Sequence, residues 1–421
     1  MKKKKVVIVG GGFGGLTAAK QLIKSDVQII LIDKTNHHLF QPLLYQVATA
    51  ALSPGDIAIP IRSIFSGKRN IEVIMEEVLS VDKNNSFVQL SDRKIEFDYL
   101  ILSPGASHSY FGNDSWENDA PGLKTLSDAL GIREKILCSF EEAEISGDKN
   151  MRDMYLTFVI IGGGPTGVEM AGAIAEISKQ TMMKDFRKIK PAETKVILLE
   201  AAPRILSAYS EKLSFIAQED LEEMGVRVMT NTKVINVSGN SVTTTNEMIN
   251  TNNIIWAAGN QASSLLQTLN TDLDKAGRVF VNDDLSIKDY PNIFVIGDAA
   301  HAKDKNGNLL PGIAPVAMQQ GKYAAKLITA EPLNGNRKPF VYFDKGMMAT
   351  IGKAKAIAKI RKLEFSRFFA WFLWSFIHIF FLITFRNRFR VMAEWIWYYF
   401  TSRRGVRLIT RRPGNKDNNS I

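Results

Sequence analysis

The chain has 421 residues, a formal net charge of +10 at pH 7, 45% hydrophobic residues, 23% charged residues and one cysteine. This length exceeds the roughly 250 to 300 residues that one hydrophobic core supports, so two or three domains are expected, and the composition excludes a disordered or collagenous chain. The single cysteine, Cys138, excludes an intrachain disulfide, a redox-active cysteine pair and a cysteine-rich metal or iron–sulfur site. The histidines have no metal-ligand spacing, so no metal site is predicted.

The amino terminus bears on the compartment. Met1 and four lysines precede the apolar run Val6–Val9, which is too short for the apolar region of a secretory signal. We therefore expect the chain to fold on the cytoplasmic side.

A glycine motif follows that apolar run. It has the pattern G-x-G-x-x-G, and its candidate cofactor-binding residues are Gly10, Gly12, Phe13, Gly14 and Gly15. Gly10 permits a tight turn, Gly12 lets a pyrophosphate approach the backbone, and Gly15 lets the following helix pack closely on the strand. Asp33 ends the next predicted strand, where a carboxylate accepts hydrogen bonds from an adenosine ribose. The pattern predicts a dinucleotide site, and an ordinary glycine-rich turn is the alternative.

The same pattern occurs again after residue 150. The apolar run 158–161 leads into a second G-x-G-x-x-G motif, whose candidate binding residues are Gly162, Gly164 and Gly167. Each unit closes with an apolar run and a turn, at Gly105 and Gly259, which lie 95 and 97 residues after the first glycine of their motifs. This matched spacing predicts an α/β fold with two Rossmann-like dinucleotide-binding domains, the second inserted in the first.

The acid of the second unit is Glu200, which follows the apolar run 196–199. A carboxylate here favours the free 2′-hydroxyl of NADH and repels the 2′-phosphate of NADPH, although Arg204 would partly offset this. We expect NADH to be the preferred nucleotide.

With these motifs the sequence resembles the two-dinucleotide-binding-domain flavoproteins, in which the first unit holds FAD and the second holds NAD(P)H. The run from Asn292 to Asp298 is similar to the late FAD motif of that superfamily. The resemblance implies that Gly297 and Asp298 contact the flavin, with a helix N-cap as the alternative for Asp298. The predicted domains are an FAD-binding domain at 1–112 and 267–340, an NADH-binding domain at 113–266 and a membrane-anchoring region at 341–421.

The positive charge is concentrated in the last 61 residues. Residues 361–421 carry a net charge of +9, so the first 360 carry only +1. An uncharged aromatic run, 368–385, and a second amphipathic run, 391–400, are both flanked by arginines, which favours two helices in the interface of an anionic membrane over nucleic-acid binding. A single membrane-spanning helix at 368–385 is the alternative.

Taken together, the chain resembles the type II NADH dehydrogenases, single-subunit NADH:quinone oxidoreductases that do not pump protons. Besides the motifs above, residues 36–48, the run 162–169 and the segment 369–388 are similar to that family. The resemblance implies bound FAD, hydride transfer from NADH to FAD, two-electron reduction of a membrane quinone, and peripheral (monotopic) attachment to the cytoplasmic side of the cell membrane. An amphipathic anchor is also compatible with a homodimer.

The resemblance also implies two catalytic residues. Glu169, two residues after Gly167, matches a glutamate that couples proton movement to electron transfer, although an acid in the first turn of a helix is favoured without any such role. Gln319 is implied to touch the quinone or the flavin and Gln320 to contact the cofactor, with an amphipathic helix face as their alternative. One departure from the family pattern is Pro315, which stands where a first glutamine is usual.

Two other functions share the nucleotide motifs. A soluble NADH oxidase or ferredoxin reductase would leave the basic aromatic tail unexplained. A non-catalytic membrane redox sensor that binds FAD and NADH would show flavin reduction without repeated turnover on a quinone.

Overall fold

The structure, a computed structural model, describes residues 3–182, 185–330, 337–402 and 404–410. The chain forms two compact units, each built from three separate segments. The first unit contains Met1–Leu39, Ala58–Ser107 and Asn260–Lys345, and the second contains Phe40–Ile57, His108–Gly259 and Gly346–Ile421.

The first unit is organised around a six-stranded sheet. Its strands lie in the order Ser286–Ile287, Tyr290–Val295, Tyr99–Leu102, Lys4–Val9, Val27–Asp33 and Ile71–Met75. Lys4–Val9 pairs in parallel with both of its neighbours, and Val6, Val7 and Ile8 are fully buried. A strand that is buried on both faces requires a continuous apolar sequence, which is what this run provides.

Two helices of the first unit pack against each other at glycines. They are Phe13–Leu22 and Ala314–Ala330, and a Cβ atom at Gly321 would lie 2.3 Å from the backbone oxygen of Gly14. Gln319 and Gln320 lie in the second of these helices. Other helices and strands of this unit are Ile61–Ile64, Ser264–Leu269, Gly297–Ala299, His37–Leu39, Ala58–Pro60, Ser80–Asp82, Phe87–Gln89, Lys94–Glu96, Asn260–Ala262, Val279–Phe280 and Ala300–His301, and Asn260–Ala262 pairs with Ala106–His108.

The second unit repeats the parallel arrangement in a four-stranded sheet. Its strands lie in the order Val226–Met229, Lys195–Leu199, Thr157–Ile161 and Asn253–Trp256. The main helices of this unit are Leu44–Ala48, Leu126–Ile145, Lys149–Tyr155, Pro165–Glu176 and Glu211–Glu223, and a three-stranded sheet is formed by Val234–Ser238, Ser241–Thr244 and Met248–Asn250. A capping box formed by Thr125 and Asp128 fixes the start of the longest helix.

The carboxyl-terminal part of the second unit is an antiparallel sheet followed by two helices. The strands are Met347–Gly352, Lys355–Ile360 and Leu363–Ser366, and the helices are Arg367–Phe381 and Phe385–Thr401. A Cβ atom at Gly172 would lie 1.7 Å from the backbone oxygen of Ile351, so only glycine allows the helix Pro165–Glu176 to approach this sheet so closely.

The two carboxyl-terminal helices were predicted, but their boundary differs. The uncharged run 368–385 does not form one helix, because the chain turns at residues 382–384 and Thr384 caps the next helix through its side chain. Within the described ranges, no helix is long and apolar enough to cross a membrane.

The boundaries of the two units differ from those of the predicted domains. Residues 40–57 belong to the second unit, and so does the region that follows residue 345, which the sequence had suggested as a separate anchor. Residues 411–421, which the prediction included in that anchor, lie outside the described part.

Candidate active site

The first glycine loop, residues 10–15, connects the strand Lys4–Val9 to the helix Phe13–Leu22. Gly10 has a φ angle of +98°, which L side chains rarely adopt. A Cβ atom at Gly15 would lie 1.9 Å from the backbone oxygen of Gly10, so this position also requires glycine. The carboxylate of Asp33 accepts a hydrogen bond of 2.6 Å from the backbone N–H of Gly11 and is thereby held against the loop.

The second glycine loop, residues 162–167, has nearly the same geometry. Gly162 has a φ angle of +113°, and a Cβ atom at Gly167 would lie 1.8 Å from the backbone oxygen of Gly162. Glu200 accepts a hydrogen bond of 2.6 Å from the backbone N–H of Gly163, as Asp33 does in the first loop. The sequence repeat therefore corresponds to a structural repeat that extends to single hydrogen bonds.

Both loops leave space for a bulky anion. No atom lies within 4 Å of the Cβ position of Gly12 or of Gly164, and each of these residues precedes the first turn of a helix. The first N–H groups of a helix have no partner within the helix and attract negative charge. The residues present therefore fit a dinucleotide pyrophosphate in each loop. Gly105 and Gly259, which close the two units, have φ angles of +75° and +74°.

His38 supports the first loop, a role that sequence reasoning missed. Its Nδ1 donates to the backbone oxygen of Gly11 at 2.8 Å, and the ring of Phe13 packs edge-on against it with centroids 5.1 Å apart. Burial lowers the pKa of His38 to about 4, so the imidazole is neutral at pH 7. A buried imidazole behind a phosphate-binding loop fixes the loop without adding charge.

The late glycine–aspartate motif lies in the same unit. Gly297 has a φ angle of +69° and donates its backbone N–H to the side-chain oxygen of Gln320 at 2.6 Å. Gln320 is only 1% exposed, so it orients this turn from the helix Ala314–Ala330. Asp298 lies in the turn Gly297–Ala299.

Gln319 makes a contact that the sequence did not indicate. Its amide donates to the backbone oxygen of Phe343 and accepts from the backbone N–H of the same residue, both at 2.9 Å. The nitrogen and the oxygen of the Gln319 side-chain amide are therefore both hydrogen-bonded within the first unit. The suggested contact of Gln319 with a quinone stays a prediction, as does any effect of Pro315 on such a site.

A cavity lies within the second unit. We call it the aromatic cavity, because its walls include Trp371, Trp374, Trp395, Tyr398 and Tyr399 from the two carboxyl-terminal helices. The helix Pro165–Glu176, the strand Met347–Gly352 and the segment around the helix Leu44–Ala48 line it as well.

Glu169 reaches this cavity from the helix that begins at the second glycine loop. Its side chain is half-buried and lines the cavity. Burial raises the pKa of Glu169 to about 8, although a hydrogen bond from the backbone of Thr350 acts in the opposite direction. The carboxyl group is therefore mostly protonated at pH 7 and can act as a proton donor.

Glu176, at the end of the same helix, forms a buried ion pair that sequence reasoning missed. Its Oε2 accepts from the hydroxyl of Tyr398 at 2.7 Å and from Arg404 Nη2 at 3.1 Å, and its Oε1 accepts from the backbone of Lys353. Arg404 is 4% exposed and also donates through Nη1 to the backbone oxygen of Thr49 at 2.5 Å. Arg404 thereby ties the last described segment to the wall of the cavity.

Among the described residues, no group of three or more His, Cys, Asp and Glu side chains could hold a metal ion.

Comparison with known proteins gives the family. A model of the pyridine nucleotide-disulphide oxidoreductases matches residues 4–321, and a model of the NDH2 C-terminal domain matches residues 345–404. The type II NADH:quinone oxidoreductase Ndh of Mycobacterium tuberculosis is 43% identical over 97% of this chain and 91% of its own length. The chain belongs to the type II NADH:quinone oxidoreductases.

More distant proteins are also similar to this chain. A probable NADH dehydrogenase of Dictyostelium discoideum is 30% identical over 94% of this chain and 89% of its own. The structure of NDH2 from Plasmodium falciparum in complex with NADH matches with a TM-score of 0.88 at 20% identity, covering 96% of this chain and 100% of that one. The sulfide:quinone oxidoreductase of Aquifex aeolicus has a TM-score of 0.73 at 18% identity, over 93% of this chain and 92% of that one. These two structures support the fold alone.

Membership of this family settles the general activity. A type II NADH:quinone oxidoreductase is an enzyme, and the pyridine nucleotide-disulphide oxidoreductase family implies binding of FAD and NAD(H). The α/β fold with two Rossmann-like sheets and carboxyl-terminal helices is the one that the sequence predicted.

Proposed function

We propose that the chain oxidises NADH at the second glycine loop, holds FAD at the first, and reduces a membrane quinone by two electrons without pumping protons. The observation that carries this proposal is the helix Pro165–Glu176. It begins at a dinucleotide loop and, within two turns, presents a protonated glutamate to an aromatic cavity. One rigid element thus connects a nucleotide site to a site for a flat organic ligand.

The first unit would hold FAD. The groups that fit it are the helix N-terminus at Gly12 for the pyrophosphate, the carboxylate of Asp33 for the ribose, and the turn at Gly297 and Asp298 for the ribityl chain. FAD supplies a group that takes up a hydride from NADH and returns two electrons to a quinone. The chain itself holds the parts of this site in place: His38 supports the glycine loop and Gln320 orients the turn at Gly297. The close packing of Gly14 against Gly321 fixes the helix that follows the loop.

The second unit would hold NADH. Gly164 leaves space for its pyrophosphate, and Glu200 faces the loop with lone pairs still available, because a carboxylate has about four acceptor positions. A hydroxyl at the 2′ position of the ribose can donate to this carboxylate, whereas a phosphate there would be repelled. NADH should therefore be preferred over NADPH.

Glu169 would supply a proton to the reduced quinone. A two-electron reduction leaves negative charge on the quinone oxygens, and a carboxyl group with a pKa of about 8 can release its proton to them at neutral pH. The alternative for Glu169, a helix first-turn acid without a catalytic role, does not explain its position on the cavity wall.

The carboxyl-terminal helices would attach the enzyme to the cytoplasmic face of the membrane as a peripheral protein. Exposed phenylalanines recur every four residues on one side of the helix Arg367–Phe381, at Phe368, Phe372, Phe376 and Phe380. Arginines in the next helix, Arg386, Arg388 and Arg390, suit anionic lipid headgroups. This surface favours a monotopic enzyme over a soluble NADH oxidase or ferredoxin reductase. Homodimer formation stays a prediction from the sequence.

Rapid mixing tests the redox part of the proposal. Purified protein with FAD is mixed with NADH, and flavin absorbance is followed before and after a short-chain quinone is added. We expect bleaching by NADH and recovery by the quinone over many turnovers. Bleaching that recovers only with oxygen or a protein acceptor would contradict the proposal, and a single cycle without turnover would favour a redox sensor.

Cosedimentation with vesicles tests the membrane part. Binding should be stronger to vesicles that contain phosphatidylglycerol than to vesicles of phosphatidylcholine alone. Phe376→Ser should weaken it, while the matched control Phe215→Ser, an equally exposed phenylalanine on the helix Glu211–Glu223, should not. Equal effects of both substitutions would contradict the assignment of the surface.

A further inference from the structure

Phe111 is a bulky apolar residue that is both exposed and held in an unusual backbone conformation. It is 67% exposed, and its φ angle is +53°, in the left-handed region that large side chains rarely adopt. Strained backbone of this kind is concentrated at ligand-binding sites, and covering an exposed phenyl ring with a ligand is favourable. The two properties together indicate a ring that is held in place for a ligand.

The residues around Phe111 fix the position of its ring. Tyr110 is buried in the core of the second unit, and its hydroxyl donates to the backbone oxygen of Ala120 at 2.9 Å. The indole N–H of Trp256 donates to the backbone oxygen of Ser109 at 3.0 Å. The rings of Phe111 and Trp256 have centroids 6.3 Å apart. Because Tyr110 and Trp256 occupy the core beneath this segment, the phenyl ring stays at the surface.

Phe111 lies beside the second glycine loop. A Cβ atom at Gly259 would lie 2.7 Å from Cζ of Phe111, so the phenyl ring lies against this glycine. The turn after the strand Asn253–Trp256 also contacts the loop, because a Cβ atom at Gly162 would lie 2.8 Å from the backbone carbon of Ala257. In parallel sheets of this type, ligands bind outside the carboxyl ends of the strands, which is where Phe111 lies.

The order of the strands gives the direction of NADH in this site. Thr157–Ile161, which leads into the glycine loop, has Lys195–Leu199 on one side and Asn253–Trp256 on the other. Glu200 follows the first of these neighbours, and Gly259 lies in the turn after the second. With the adenosine ribose at Glu200 and the pyrophosphate at the loop, as proposed above, the nicotinamide half extends toward Gly259.

The chemistry of nicotinamide matches an exposed phenyl ring. Nicotinamide is flat and aromatic, and in NAD+ it carries a positive charge, which the face of an aromatic ring attracts. We propose that the phenyl ring of Phe111 stacks on the nicotinamide and so contributes to the affinity and the orientation of the ring that gives up the hydride. This inference rests on the proposed function.

The test removes the aromatic ring and keeps an apolar side chain. NAD+ and ADP-ribose, which is the same molecule without the nicotinamide, are titrated by calorimetry into the oxidised FAD-containing enzyme. Phe111→Leu should raise the Kd of NAD+ about three- to tenfold, the effect of losing one aromatic stacking contact. The Kd of ADP-ribose should stay within about twofold of its value for the unaltered protein, because ADP-ribose does not reach Phe111.

A second variant and a control complete the design. Phe111→Tyr keeps an aromatic ring, so the Kd of NAD+ should stay within about twofold of that of the unaltered protein. Phe215→Leu, the same change at an exposed phenylalanine of the helix Glu211–Glu223, should alter neither Kd. An unchanged Kd of NAD+ in Phe111→Leu, or an equal weakening of both ligands, would overturn the inference. If NADH failed to reduce the flavin of the unaltered protein, the proposed function would fail instead, so the two failures are distinguishable.

Discussion

The buried carboxyl group of Glu169 makes the stability of the protein depend on pH in a predictable direction. Its pKa is raised from 4.5 to about 8 in the folded protein. Between these two values the unfolded chain releases the proton and the folded protein keeps it, so stability falls as the pH rises. Glu169→Gln keeps the shape and can still accept from the backbone of Thr350, but it has no proton to lose.

The size of the effect follows from the two pKa values. One pKa unit corresponds to about 1.4 kcal/mol, so ionised Glu169 would cost about 5 kcal/mol of stability once both states have lost the proton. Between pH 6 and pH 9 the cost grows from about 2 to about 5 kcal/mol. From pH 6 to pH 9, the free energy of unfolding of Glu169→Gln should therefore rise by about 3 kcal/mol relative to that of the unaltered protein.

Urea unfolding followed by tryptophan fluorescence measures this difference. The unaltered protein, Glu169→Gln and the control Glu141→Gln, an exposed glutamate of the helix Leu126–Ile145, are unfolded at pH 6 and pH 9. The control should parallel the unaltered protein, because the side chain of Glu141 is exposed on the surface of its helix. If the stability of Glu169→Gln changed between pH 6 and pH 9 as much as that of the unaltered protein, the raised pKa and the proton-donor role of Glu169 would be refuted.

Other substitutions test the remaining parts of the site. Glu200→Gln should reduce the preference for NADH over NADPH, expressed as a ratio of kcat/KM values, about tenfold, and an unchanged ratio would remove this residue from nucleotide selection. Gly15→Ala should abolish FAD retention, measured by flavin absorbance, because its Cβ would lie 1.9 Å from a backbone oxygen, whereas the control Gly131→Ala, with nothing within 4 Å, should retain FAD. Arg404→Met should lower the free energy of unfolding by about 3 to 5 kcal/mol by leaving Glu176 buried and unpaired, and adding Glu176→Gln should restore most of it. Equal stability of the single and double variants would contradict this last expectation.

The parts of the site that the sequence predicted are local in the chain. A glycine loop, the strand before it and the helix after it lie within about 20 residues. The first and last glycines of each motif are required by the backbone of that same segment. Asp33 and Glu200 lie at the carboxyl end of the second strand of their units, because an acid there has a fixed topological position, and their contacts with a nucleotide stay a prediction. Loops of this kind can be recognised from spacing alone.

The parts that were missed depend on contacts between distant residues. Nothing near Glu176 in the sequence indicates that it meets Arg404. The contact between Gln319 and Phe343 was missed for the same reason, because it depends on the course of a loop that is distant in the sequence. The turn at residues 382–384 was missed for a different reason: the uncharged run continues through it without a proline or a glycine.

The ion pair between Glu176 and Arg404 also bears on the order of folding. It joins residues that are 228 positions apart, and closing so long a loop loses chain entropy before the contact is made, so the last segment is expected to dock late. Until it docks, one side of the aromatic cavity stays open to water and its indole rings are exposed. A quinone that binds the closed cavity stabilises the docked state by mass action. Refolding in the presence of quinone should consequently give a higher yield of native enzyme than refolding without it.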